Sequence, residues 1–157
     1  MMHLALYQPE IPQNTGTLMR LCACMGISLN IIHPCGFVWD DRRLRRAGMD
    51  YRDIATVHHH TSWEDFLKNV KTNDHRLILL DAKAETPYTD FSFQNRDILL
   101  LGQESVGVPE DIFEMIPCRL HIPMAPECRS LNVSLAAAMV VGEALRQLML
   151  ISRSIQQ

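Results

Sequence analysis

The chain of 157 residues has no excess of basic charge: 15 Lys and Arg stand against 18 Asp and Glu, a net charge of −3. That balance excludes a protein that holds nucleic acid by bulk charge, so an RNA or DNA partner would need a local basic patch. There is no Cys-x-x-Cys pair. Five cysteines at irregular spacing (Cys22, Cys24, Cys35, Cys118 and Cys128) argue against a zinc cluster or a disulfide framework. They read as free, buried thiols of a reducing compartment. No signal-peptide pattern opens the chain. The apolar run Leu135 to Gly142 is broken by Glu143 and Arg146, far short of the roughly 18 to 20 residues that span a bilayer. The expectation is a cytoplasmic protein with no membrane contact. Repeats and low-complexity tracts are missing too, and residues 1–157 read as one domain.

Several motifs of catalysis are also absent. Gly102 and Gly107 are separated by four residues, as in a phosphate-binding P-loop, but Val108-Pro109 stands where that loop needs Lys and Ser or Thr. No Gly-x-Gly-x-x-Gly follows a strand. Ser105, Ser130 and Ser134 lie outside any Gly-x-Ser-x-Gly elbow, which argues against a serine hydrolase. His58-His59-His60 resembles a metal tract, yet three adjacent side chains diverge on any regular element, so the segment reads as a surface turn and no metal is expected.

What is there is a globular composition, 47% hydrophobic and 21% charged. Apolar strands are expected at His3 to Tyr7, Leu29 to His33, Ile54 to Val57, Leu77 to Leu80, Ile98 to Leu101 and Arg119 to Ile122. Between them lie helical segments: Asn14 as N-cap of a helix to Met25 closed by Gly26, a short basic helix from Asp40 to Gly48, Ser62 capping a helix to Val70, Pro109 to Met115, and Leu131 to Ile151. Leu18, Leu21, Cys22 and Met25 would form the buried stripe of the first helix. The alternation predicts an α/β fold with a mostly parallel sheet covered on both faces. Ligands of such sheets bind beyond the carboxyl ends of the strands, here residues 8–14, 81–83, 102–107 and 123–130.

Those loops hold the candidate chemistry. The glycines of 102–107 would let backbone groups approach a ligand, although an ordinary β-to-α turn has the same look. Asn14 and Arg20 lie one to two helical turns apart, and an Arg beside a polar loop can grip phosphate; a capping Asn and a solvated Arg are the alternative. Arg42, Arg43, Arg45 and Arg46 form the densest charge cluster. Residues 1–60 hold six basic and five acidic groups, so positive charge is concentrated beside Arg20, with Phe37, Trp39 and Tyr51 offering surface for stacking on bases. A solvated helix face accounts for the same cluster.

Three stretches together resemble one family: Tyr7-Gln8-Pro9-Glu10-Ile11-Pro12-Gln13-Asn14-Thr15-Gly16 with Arg20; Leu101-Gly102-Gln103-Glu104-Ser105-Val106-Gly107-Val108-Pro109; and Ile122-Pro123-Met124 followed by Arg129-Ser130-Leu131-Asn132-Val133-Ser134. In order and spacing they are similar to the SPOUT, or α/β-knot, RNA methyltransferases. Gly36 to Asp41 and Arg46 to Tyr51 resemble the branch that methylates the ribose 2′-oxygen of the wobble nucleotide of tRNA. The resemblance implies a C-terminal deep trefoil knot, an S-adenosylmethionine cofactor, a homodimer joined by the first and last helices, and the tRNA anticodon stem-loop as partner. It places the cofactor against Leu80, Gly102, Glu104, Ile122, Ser130 and Leu131. Arg20, Asn14, Ser130 and Asn132 would carry catalysis, Arg20 acting in its own chain or across the dimer. Another tRNA position, ribosomal RNA, or an inactive RNA-binding module are the competing readings. One position departs from the family pattern: Gly142 stands where many relatives carry Tyr.

Overall fold

In the computed structural model, residues 1–39 and 56–155 are described, with side chains through Met149. Seven strands form one sheet: β1 (His3–Tyr7), β2 (Ser28–Ile32), β3 (Val57–His60), β4 (Arg76–Leu80), β5 (Thr86–Pro87), β6 (Asp97–Leu101) and β7 (Cys118–His121). Their spatial order is β3-β2-β1-β6-β4-β7-β5, and every pairing is parallel. Among the described residues four α-helices flank it: α1 (Pro12–Met25), α2 (Trp63–Thr72), α3 (Glu110–Met115) and α4 (Val133–Ile155).

Strand alternation sorts the apolar runs onto two covered faces. Leu4, Leu6, Leu99 and Leu101 point to one side, where they meet Leu18, Met19 and Cys22 of α1 and Ala137, Val140, Val141 and Ala144 of α4. Ala5, Tyr7, Ile98 and Leu100 point to the other, against Phe66 and Val70 of α2 and Ile112 of α3. At roughly 1.5–3 kcal/mol for each large side chain buried, these two layers are the main stabilising term. The interleaving is distinctive: β6 enters between β1 and β4, and β7 between β4 and β5, filling gaps beside strands placed earlier in the chain.

Local expectations are corrected in four places. Asn14 does not cap α1; Ile11 occupies that position without a side-chain bond, and Asn14 lies within the first turn, freed for tertiary contacts. The buried stripe of α1 is Thr15, Gly16, Leu18, Met19 and Cys22, because α1 packs on both the sheet and α4, leaving Met25 exposed beside Gly26, whose φ of 64° ends the helix as expected. His58 to His60 are not a turn but most of edge strand β3. An edge tolerates exposed His58 and His59, and the buried His60 Nε2 bonds to Asn30 Oδ1 at 2.8 Å. Only Cys22 of the five free thiols is buried; Cys24 and Cys128 are exposed, since the former sits on the outer face of α1 and the latter on a loop. The expected basic helix from Asp40, with Arg42, Arg43, Arg45 and Arg46, lies outside the described residues. The two-residue β5 carries no apolar run and had no sequence signal.

Candidate active site at the carboxyl edge of the sheet

The carboxyl ends of β1, β4, β6 and β7 open onto a cleft of about 530 Å³, within the range of small-molecule sites. Leu80, Leu101, Ile122 and Ala136 supply apolar walls; Asp81, Lys83, Gln103 and Glu104 supply polar groups. The loop after β6 is drawn tight by two backbone bonds, Gln103 N–H to Gly107 O at 2.8 Å and Gly107 N–H to Gln103 O at 2.9 Å. A Cβ on Gly102 would fall 2.5 Å from the Gly107 carbonyl carbon, so only glycine allows the closure. Gly107 itself has φ +73°, the left-handed region.

Asn14 is the junction of three segments. Its Nδ2 donates to Glu104 Oε1 at 3.3 Å, and its Oδ1 accepts from Asn132 Nδ2 at 3.0 Å. Its backbone oxygen accepts from Ser134 Oγ at 3.3 Å. Asn132 Oδ1 in turn takes the backbone N–H groups of Ser134 (2.8 Å) and Leu135 (3.4 Å), capping the start of α4. Glu104 also accepts from Glu10 N–H at 2.8 Å, and the Glu10 carboxylate accepts from Ser105 N–H at 2.8 Å and Ser105 Oγ at 2.9 Å. Those bonds from Ser105 hold the Glu10 carboxyl below its ordinary pKa.

Every expected site residue among the described ones, except Arg20, lines this cleft: Asn14, Leu80, Gly102, Glu104, Ile122, Ser130, Leu131 and Asn132. Arg20 does not. It is exposed on the outer face of α1, in register with Gln13, Thr17 and Cys24. Sequence reasoning missed two carboxylates. Asp81 Oδ1 accepts from Lys83 N–H at 2.9 Å, and its Oδ2 lies 3.2 Å from where a Gly107 Cβ would stand. Glu10 is the third residue of the loop 8–14, but its reach to Ser105 spans 95 positions and leaves no local signal. Among the described residues no cluster of His, Cys, Asp and Glu is placed to hold a metal ion, and no helix is long and apolar enough to cross a membrane.

A model of the SpoU rRNA Methylase family matches residues 1–142. The chain belongs to that family. Among its SpoU relatives, the tRNA (cytidine(34)-2'-O)-methyltransferase of Beijerinckia indica subsp. indica is 55% identical over 144 residues, 92% of this chain and 90% of that protein. The enzyme of the same name from Escherichia coli K12 is 45% identical over 150 residues, 94% of each chain. A solved structure concerned with the 2-OH methylation of C/U34 on tRNA superposes with a TM-score of 0.90 at 39% identity, covering 95% of this chain and 97% of that one. The fold is thus the SPOUT, α/β-knot fold, and the interleaved β6 and β7 bring the loops 102–107 and 123–132 of this chain to one cleft.

Proposed function

We infer that this chain is an S-adenosylmethionine-dependent enzyme that methylates the ribose 2′-oxygen of nucleotide 34 of tRNA, acting as one methyltransferase domain over residues 1–157 in the cytoplasm. The observation that carries this reading is the meeting of the three family segments at one cleft through Asn14, in a chain whose near full-length relatives bear that activity in their names.

The cleft suits the cofactor. Leu80, Leu101, Ile122 and Ala136 give it apolar walls suited to an adenine ring, the Gly102–Gly107 closure exposes backbone groups where a side chain would intrude, and Asp81 offers a carboxylate to a cationic ligand. Leu80, Gly102, Ile122, Ser130 and Leu131 would hold it, with Glu104 contributing from the loop its carboxylate anchors. When bound, S-adenosylmethionine supplies a methyl group already activated by the sulfonium charge. What the chain must do is orient the ribose for in-line attack and stabilise charge as the 2′-hydroxyl loses its proton. A guanidinium offers five N–H donors and no acceptor, so Arg20 serves as a donor to ribose, phosphate and the developing oxyanion rather than as a base. Asn14 and Asn132, bonded to each other, would order the cleft beside the ribose, and Ser130 would contact the cofactor from the wall it lines.

Arg20 stands on the outer face of α1, off the cleft wall of its own chain, which supports delivery into the cleft of a second copy. A homodimer has a surface available. Leu135, Met139 and Met149 of α4 are 61%, 43% and 60% exposed, and with the exposed Ala138 and Gly142 they make an apolar stripe at helical spacing next to α1. A side chain at Gly142 would meet nothing within 4 Å in this chain, leaving a gap there for the partner. For the anticodon stem-loop, Arg42, Arg43, Arg45 and Arg46 are the local basic patch. They follow a ring cluster at the ends of β2 and β3, where Trp39 lies 4.6 Å from His59 and 6.1 Å from Phe37.

The test is mass mapping of ribose methyls in tRNA from cells with and without the protein: loss at nucleotide 34 is expected, and loss elsewhere overturns the assignment. Arg20→Ala is expected to abolish methyl transfer while cofactor affinity, read by calorimetry, stays within about twofold, since the residue is off the cofactor wall.

A further inference from the structure

Glu10 does not line the cleft, yet it is bonded to the loop that does. The two loops after β1 and β6, adjacent strands, hold each other reciprocally. The backbone of residue 10 donates to the side chain of Glu104, and the backbone and hydroxyl of Ser105 donate to the side chain of Glu10. A fourth bond, Gln103 Nε2 to Gln8 Oε1 at 3.3 Å, joins the loops one step closer to the sheet, with Gln8 held at φ 45°. Gly36 leaves room for this arrangement: a Cβ there would stand 3.1 Å from Glu10 Cα and 3.2 Å from its Cγ.

We propose that Glu10 is a positioning residue that couples the cofactor-binding loop to the start of α1, where Asn14 is placed to meet the ribose of the RNA, so that each ligand binds more tightly when the other is present. The inference rests on the methyltransferase reading. Because Gln103 and Gly107 close the loop with two backbone bonds, its tip moves as a unit. Glu104 and Ser105 of that tip are tied to the entry of α1, and Asn14 follows within its first turn. A cofactor seated against the loop therefore orders the start of α1, and RNA seated on α1 orders the loop. Whichever ligand binds first bears the ordering cost, and the second binds to a site already set.

Such coupling is reciprocal and commonly amounts to about fivefold or more. The experiment is calorimetric titration of S-adenosylhomocysteine, which has no methyl to transfer, into the full-length protein alone and saturated with unmodified anticodon stem-loop RNA. For the wild type a ratio of dissociation constants of about five or more is expected, with the same ratio when the order of addition is reversed. Glu10→Ala is expected to bring the ratio close to one. Glu10→Gln keeps an oxygen for Ser105 N–H and an amide for its hydroxyl, and is expected to retain most of it. A merely structural loss would weaken both titrations alike and leave the ratio unchanged. A wild-type ratio of one, or a Glu10→Ala ratio equal to the wild type, overturns the proposal. Should Glu10→Ala fail to fold by circular dichroism, Ser105→Ala, which removes only the hydroxyl bond, decides: a reduced ratio supports the coupling and an unchanged one overturns it. Wild-type protein that binds neither probe overturns the methyltransferase reading itself, and the coupling with it.

Discussion

Gly102 has no room for a side chain. A Cβ would meet backbone atoms of Gly107 at 2.5 and 2.7 Å and Val108 N at 2.8 Å, and backbone cannot rotate away as a side-chain tip can. Gly102→Ala must therefore spread the loop that walls the cleft. The expected outcome is a rise of at least about tenfold in the cofactor dissociation constant, about 1.4 kcal/mol, read by calorimetry on a protein that still folds. Asn14 shows the same dependence on context. Its residue type suggests a helix cap, and a cap it would be in an isolated peptide. In the fold, the entry of α1 is served instead by the Glu104 carboxylate arriving from 94 positions away. Asn14 is thereby released to bind Glu104 and Asn132 together.

At the scale of elements, the two edges of the sheet divide the work. The carboxyl edge holds the cleft, and the amino edge holds much of the polar stabilisation. Asp97 at the start of β6 is fully buried and accepts from Arg76 Nε and Nη2, both at 2.8 Å, and from Gln94 N–H at 2.7 Å. Arg76 also lies over the Phe91 ring at 4.8 Å. Asp97→Ala would strand these donors and is expected to cost about 3 kcal/mol, a drop in Tm of about 6–12 °C, the low end applying because Arg76 keeps a third of its side chain in water.

His3, at the start of β1, lies 4.6 Å from the His75 ring; burial first, and then the charge of His75, lower its pKa from 6.5 to about 4. Below pH 6.5 the unfolded chain takes up a proton that the folded chain refuses. Stability present at pH 7 is thus lost as the pH falls from 6.5 toward 4. With His3 only half-buried, the contribution is discounted to about 1 kcal/mol, or about 2–4 °C in Tm across that window. His3→Gln is expected to flatten this part of the Tm–pH curve, as read by thermal melts.

For the whole molecule, the question is where Arg20 acts. It faces away from its own cleft, and an apolar stripe on α4 runs beside its helix, so a complete site would combine two copies. Arg20→Ala chains are expected to be inactive alone, and Gly102→Ala chains to be weakly active when the cofactor is kept below their raised dissociation constant. Co-expressed, they are expected to recover activity, because one cleft in the mixed dimer joins an intact cofactor wall to an intact Arg20 from the other chain. Mixed dimers that stay inactive in a methyl-transfer assay would return Arg20 to its own cleft.

The layers and the loops were legible in the order of residues alone. The runs Leu77 to Leu80 and Ile98 to Leu101 are apolar at every position because both faces are covered, and that pattern needs no tertiary information to read. Ser62 before Trp63 and Gly26 after Met25 mark helix ends by local geometry alone. The three segments around Asn14, Gly102 and Asn132 were visible as motifs for the same reason: each is short and continuous. Which atoms meet depends on the folded chain. Strand order is set by which gaps β6 and β7 fill, and that choice depends on packing across the entire sheet. The bonds from Glu10 to Ser105 and from Asn14 to Asn132 span 95 and 118 positions, far beyond any periodicity. The net charge of −3 stayed a true sum that described neither edge of the molecule, because charge acts over about 8–10 Å and the fold, rather than the composition, sets which charges share that distance.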